Sequence, residues 1–184
     1  MKVRAFGLAV GLCAFMLFGA AVAQAAQEFY VSITGVRQGP FKGEVTRKGF
    51  EGKIAGLNFD YAVVSPRDPA SGQATGKRQH KPVRIKKAWG AASTQLFTAL
   101  TTNESLATVV IDFMATDPRT GALVLDHTIR LTNANVVSIA HNSEVPVAAA
   151  TSLPPTETVE FVFQQIELID HLFKGAVMDS LALP

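Results

Sequence analysis

Apolar and polar side chains alternate at period two along much of the chain. Residues 28–34 set Phe29, Val31 and Ile33 against Tyr30, Ser32 and Thr34, the pattern of a strand with one buried face. Residues 54–64 alternate through Leu57, Phe59, Tyr61 and Val63, and Val83 and Ile85 alternate with Arg84 and Lys86. Residues 107–116 and 123–131 are apolar, β-branched runs either side of Asp117-Pro118-Arg119-Thr120-Gly121. That pentapeptide predicts a hairpin turn, because proline presets φ and glycine tolerates positive φ. Residues 41–46 read as a short strand, 136–140 as another, and 158–168 as the last, alternating through Val159, Phe161, Phe163 and Ile166. The period changes in residues 88–103, where Ala92, Leu96, Ala99 and Leu100 fall at helical spacing with Ser93 or Thr94 placed to cap. In the tail, Leu172, Phe173, Val177, Met178 and Leu181 suit a short helix. About eight strands with turn punctuation and one flanking α-helix predict a mainly β fold, a compact β-barrel or two-sheet sandwich.

Two segments interrupt the pattern. Residues 143–156 carry three prolines among small side chains and read as a loop. Residues 65–82 hold three prolines, two glycines, five basic side chains counting His80, and no large apolar residue. This stretch has nothing to bury, and a connection of such length inside a compact domain is usually functional or disordered.

The first 25 residues have the three parts of a secretory signal peptide: basic Lys2 and Arg4, an uncharged apolar run over 5–22, and an Ala23-Gln24-Ala25 cleavage signature. Cleavage there leaves 159 residues, enough for one domain with a substantial core, and no stable membrane anchor. It also removes Cys13, the one cysteine, so the mature chain has no disulfide, thiolate metal site or cysteine nucleophile. The chain then divides into a signal peptide (1–25), a β-barrel domain (26–170) and a C-terminal extension (171–184), exported to the periplasm or the exterior.

Charge is unevenly distributed. Residues 37–87 hold 12 basic and 4 acidic side chains, and residues from 88 onward hold 3 basic and 10 acidic. Three arrangements give such a split: a basic half that binds nucleic acid, two faces of opposite sign that attract a second copy, or strands that interleave and mix the charges on one surface. Lys77, Arg78, Lys81, Arg84, Lys86 and Lys87 have the charge for phosphate contacts, but no aromatic platform is interleaved with them, so nucleic acid is not expected as a partner.

Candidate chemistry is sparse. Gly72-Gln73-Ala74-Thr75-Gly76-Lys77-Arg78 resembles a phosphate loop but is one residue short between its glycines, and Arg78 stands where Ser or Thr must bind magnesium. His80, His127, His141 and His171 form no pair with metal-ligand spacing. Asp126 and His127 are adjacent in a strand, where neighbouring side chains point to opposite faces. Glu157, Glu160, Glu167 and Asp170 read as the wet face of the last strand, and no Gly-x-Ser-x-Gly elbow is present. The expectation is a protein without catalytic residues, metal or cofactor.

The long segment and its surroundings resemble a known family. Val64-Ser65-Pro66-Arg67-Asp68-Pro69, the run from Ala70 to Pro82, Ile85-Lys86-Lys87 and the helix with Leu96-Phe97-Thr98-Ala99-Leu100 are similar to the Hcp family, the tube protein of the bacterial type VI secretion system. Ile33-Thr34-Gly35 and Phe41-Lys42-Gly43-Glu44 resemble that family's opening strands. The resemblance implies a small β-barrel or sandwich with one helix, no catalytic site, six copies closed into a ring, and rings that stack into a hollow tube. It also implies a spike protein and effector cargo as partners. The family's long loop contacts neighbouring subunits, which assigns an inter-subunit role to Pro66, Arg67, Asp68, Pro69, Gly72, Gly76, Lys77, Arg78, Gln79, His80, Lys81 and Pro82. Tube subunits leave through the secretion machine without a signal peptide, so residues 1–25 set a second expectation: an exported Hcp-like binding module that builds no tube.

Overall fold

The computed structural model describes residues 28–143 and 154–181. The expected signal peptide, over 1–25, and most of the proline-rich loop lie outside them. The described chain runs β1 (Phe29–Gly35), β2 (Gly39–Pro40), β3 (Ile54–Asp60), β4 (Val63–Val64), β5 (Gln79–His80), β6 (Val83–Ala88), α1 (Ala91–Thr101), β7 (Ser105–Thr116), β8 (Leu123–Asn142), β9 (Thr156–Val162), β10 (Gln165–Asp170) and β11 (Gly175–Ser180). The order β8-β7-β1-β3-β6-β9 returns to β8, so six antiparallel strands close into a barrel. Of the two expected architectures, the barrel is the one present.

The inward positions follow the period-two pattern in most strands, but Leu57 and Val63 are exposed, with the register shifting between Gly56 and Asn58, and Tyr30 is buried. Val31, Ile33, Ile54, Ile85, Leu106, Val109, Ile111, Leu131, Val159 and Phe161 are buried together. Gly56 makes room for this packing: a Cβ there would sit 1.9 Å from the Phe29 ring. Phe29, Phe59 and Phe113 form a cluster with ring centroids 5.0–6.3 Å apart, in stacked and edge geometries that add to burial. Helix α1 buries Ala92, Leu96 and Ala99, and Leu96 lies among Val31, Ile33, Ile54, Ile85, Val159 and Phe161, so the helix packs over one mouth of the barrel. Its N-cap is Gly90 rather than Ser93 or Thr94. Ser93 sits one turn in, and its hydroxyl accepts the Gly90 N–H at 3.0 Å.

Several elements differ from the expectation, each through a non-local partner. Strand β8 is one strand of 20 residues. Its first half pairs with β10 and its second with β9, and the change falls at Asn133, where φ is +49°. The expected last strand is two, broken after Val162, with Gln164 N–H bonded to Thr132 and Asn133 carbonyls. Residues 41–46 are not a strand; Gly43 and Val45 hold that segment by backbone bonds to Gly52 and Lys53. The tail forms strand β11, not a helix, in a hairpin with β10 that extends the sheet outside the barrel.

Candidate assembly surface

Residues 65–82 form an ordered arm. At its root, β4 and β5 pair Val63 with His80 and Val64 with Gln79. Further out Arg67 and Ala74 make an isolated bridge, with Thr75 N–H bonded to Pro66 O at 3.0 Å and Asp68 N–H to Gln73 O at 2.8 Å. At the tip one Asp68 oxygen accepts Ala70 N–H at 3.0 Å, Ser71 N–H at 2.7 Å and Ser71 Oγ–H at 2.9 Å. These bonds, Ser71 N–H foremost, hold the Asp68 carboxyl below its ordinary range. The turn closes with Gly72 at φ +69°, a backbone conformation that glycine adopts without steric cost.

The arm buries little of itself. Among the expected contact residues only Pro66, Asp68, His80 and Pro82 are half-buried, and the rest are exposed. Lys77 and Lys81 make no ion pair among the described residues, and Arg67 donates to the Gly72 carbonyl at 3.0 Å. Val63 and Val64, at the root, are exposed apolar side chains.

Two arm residues contact the body of the protein, Arg78 while still exposed and His80 buried. Arg78 binds Asp179 of β11 through both Nε and Nη2, a side-on pair. The His80 side chain is 4% exposed, and its Nε2 lies 3.2 Å from Asp179 Oδ2. Its Nδ1 is 2.6 Å from the Tyr61 hydroxyl. The ring stacks near Tyr61 and meets Phe163 edge-on. Burial, and then the Arg78 charge, lower the His80 pKa, so the imidazole is neutral at pH 7. Burial likewise raises the Tyr61 phenol. Asp179, Tyr61 and Phe163 are the members of this site that sequence reasoning missed. Tyr61 and Phe163 carried only a strand pattern, and nothing local marks Asp179, which is 101 residues from Arg78.

Two other residues are reassigned. Lys87, grouped with phosphate-binding cations, is buried, and Glu157, expected on a wet face, is 0% exposed. They are directly opposed on β6 and β9 and pair at 2.9 Å inside the barrel mouth. Asp126 and His127 also contact each other, with Nδ1 2.9 Å from Oδ2, despite adjacent positions on β8. The charge halves largely interleave: Lys53 pairs with Asp112 at 2.7 Å, and Arg84 with Glu160 at 2.8 Å.

A sequence model of the family described as "Type VI secretion system effector, Hcp" matches residues 30–169. The chain belongs to the Hcp family. The major exported protein of Pseudomonas aeruginosa is 36% identical over 149 residues, which cover 74% of this chain and 85% of that protein. Hcp3, a secreted protein from the same organism, is 26% identical and superposes with a TM-score of 0.71 over 86% of this chain and 100% of its own. A crystal structure of another Hcp protein has a TM-score of 0.79 at 22% identity, over 86% of this chain and 100% of that one. Hcp proteins are structural, tube-building components of type VI secretion, and the barrel described above is the Hcp fold.

Proposed function

We propose that this Hcp protein is exported and closes, six copies at a time, into a ring through its arm, and that rings stack into a tube. The observation that carries the reading is an arm ordered by its own hydrogen bonds yet burying almost none of its surface, on a chain of the Hcp family. An arm of this kind loses little conformational entropy when a neighbour covers it. A head-to-tail contact joins two different surfaces, and the rotation between copies closes the ring. Lys77 and Lys81 supply the arm's unpaired positive charge, which orients the approach more than it adds affinity, since an exposed ion pair is worth about 0–1 kcal/mol. The spike and cargo of type VI secretion are the further partners that fit this role.

The test is the solution mass of residues 26–184 by light scattering, with negative-stain images. Six-fold rings support the reading, and a monomer at high concentration contradicts it. Lys77→Glu with Lys81→Glu shifts ring formation to about tenfold higher concentration, in line with about 0.7 kcal/mol for each of two lost contacts, while the monomer stays folded.

The second reading, an exported binding module without a tube, is favoured by one observation. The internal pairs Lys53–Asp112, Arg84–Glu160 and Lys87–Glu157 use charges that opposite faces of two copies would otherwise share. A monomer that stays folded is its expected outcome.

A further inference from the structure

We infer that Asp179 is a positioning residue for the arm and that the hairpin of β10 and β11 is the clasp that sets the arm's direction. The inference rests on the assembly role just proposed.

The arm's own root is weak. Strands β4 and β5 have two residues each, and a two-stranded ladder of that length has no independent stability in water. Val63 and Val64 do not anchor it, because both are exposed. Besides one further backbone bond, Lys81 N–H to Ala62 O at 2.9 Å, the root has the cluster around Asp179, whose carboxylate pairs with Arg78 and lies against the buried His80 ring on the returning strand. The Arg78 contact is a side-on, two-bond pair, the geometry that fixes direction as well as distance. His80 is held in turn by Tyr61 and Phe163. Asp179 therefore joins the arm to β11, while His80, beside it, packs the arm's root against Tyr61 at the end of β3 and Phe163 at the β9–β10 junction.

The clasp also gives the hairpin a purpose that packing does not. Among the described residues strand β11 pairs on one side only, with β10. Val177 and Met178 are 69% and 60% exposed, so the strand contributes little apolar burial to the barrel. Asp179 is its half-buried exception. It lies beyond the residues that the family model covers, and on the same face of the hairpin as Ile166, its opposite number in the ladder.

The experiment is amide hydrogen exchange on residues 26–184 in the Lys77→Glu/Lys81→Glu background, where neighbours do not shield the arm. Adding Asp179→Asn is expected to speed exchange at Asp68, Thr75 and Lys81 about tenfold, the effect of losing a charge-assisted bond, with β1 and β7 amides unchanged. Exchanging the partners, Arg78→Asp with Asp179→Arg, is expected to restore slow exchange, which a purely steric role for Asp179 would not do. Unchanged arm exchange in the Asp179→Asn protein, or no rescue by the exchanged pair, overturns the clasp. Asp179→Asn alone is expected to lower the ring fraction in otherwise unaltered protein. If the arm loosens and rings persist, the clasp stands and the arm's role in assembly fails.

Discussion

Lys87 and Glu157 show how much a single pair can hold. The ammonium bonds Glu157 Oε1 at 2.9 Å, Ser93 Oγ at 3.1 Å and the Ala88 carbonyl at 2.8 Å, and Ser93 also donates to Glu157 at 2.9 Å. The pair thus ties β6 and β9 to the first turn of α1. Glu157 Oε2 has no hydrogen bond among the described residues and faces His141 Nδ1 at 3.4 Å. Removing one charge strands the other, at a cost of about 3–5 kcal/mol. Lys87→Met is expected to lose that much stability in urea unfolding, and Lys87→Met with Glu157→Leu to recover most of it. Glu104 makes a different anchor at the end of the helix. Burial would raise its pKa, but N–H groups of Gln38 and Arg37, at 2.7–2.8 Å, outweigh burial and lower it. A lowered carboxyl contributes stability above its unfolded value, near pH 4.5, and loses that contribution as pH falls through the lower native value. Glu104→Gln should therefore flatten the acid side of the stability curve between about pH 5 and 3; an unchanged slope contradicts this role.

At the scale of elements, the strand β8 depends on one residue. Asn133 turns the strand from β10 to β9 at positive φ, and its amide reaches Gln164 Oε1 at 3.2 Å. Asn133→Gly should be nearly neutral and Asn133→Val should cost about 1–2 kcal/mol, because a β-branched side chain resists this conformation. The same residue explains a limit of the sequence pattern. Thr132-Asn133-Ala134-Asn135 interrupts the apolar run and reads as a break, whereas the structure bends through it. The opposite error occurs at Phe163, which keeps the alternation going across a real turn because it is itself buried. Most barrel strands and α1 were legible because they bury a periodic face; β3 departs from it at its register shift, where Leu57 turns out to solvent. Strand β11 was not, since its apolar residues stay exposed and only its register with β10 makes it a strand. The arm was legible as a segment, through its prolines and missing apolar residues. Its clasp was not, because Asp179 is an ordinary acidic residue until the fold brings it to Arg78.

For the whole molecule, the charge asymmetry along the chain does not survive as two opposed halves. Antiparallel pairing of β6 with β9 places Arg84 opposite Glu160 and Lys87 opposite Glu157, and Lys53 reaches Asp112 across the barrel wall. Of the arrangements compatible with the sequence, interleaving accounts for these pairs. The charge left to the arm is smaller and more local, on Arg67, Lys77 and Lys81. A stable interface buries about 1,000 Å² or more, so assembly must draw on apolar surface as well: exposed Val63 and Val64 lie at the arm root, and exposed Leu168 and Val177 are opposed in the β10–β11 hairpin. Assembly is tested most directly by the mass of residues 26–184 in solution across a concentration series. A hexamer that Lys77→Glu with Lys81→Glu shifts toward monomer is the expected result; a folded monomer at every concentration would contradict assembly through the arm.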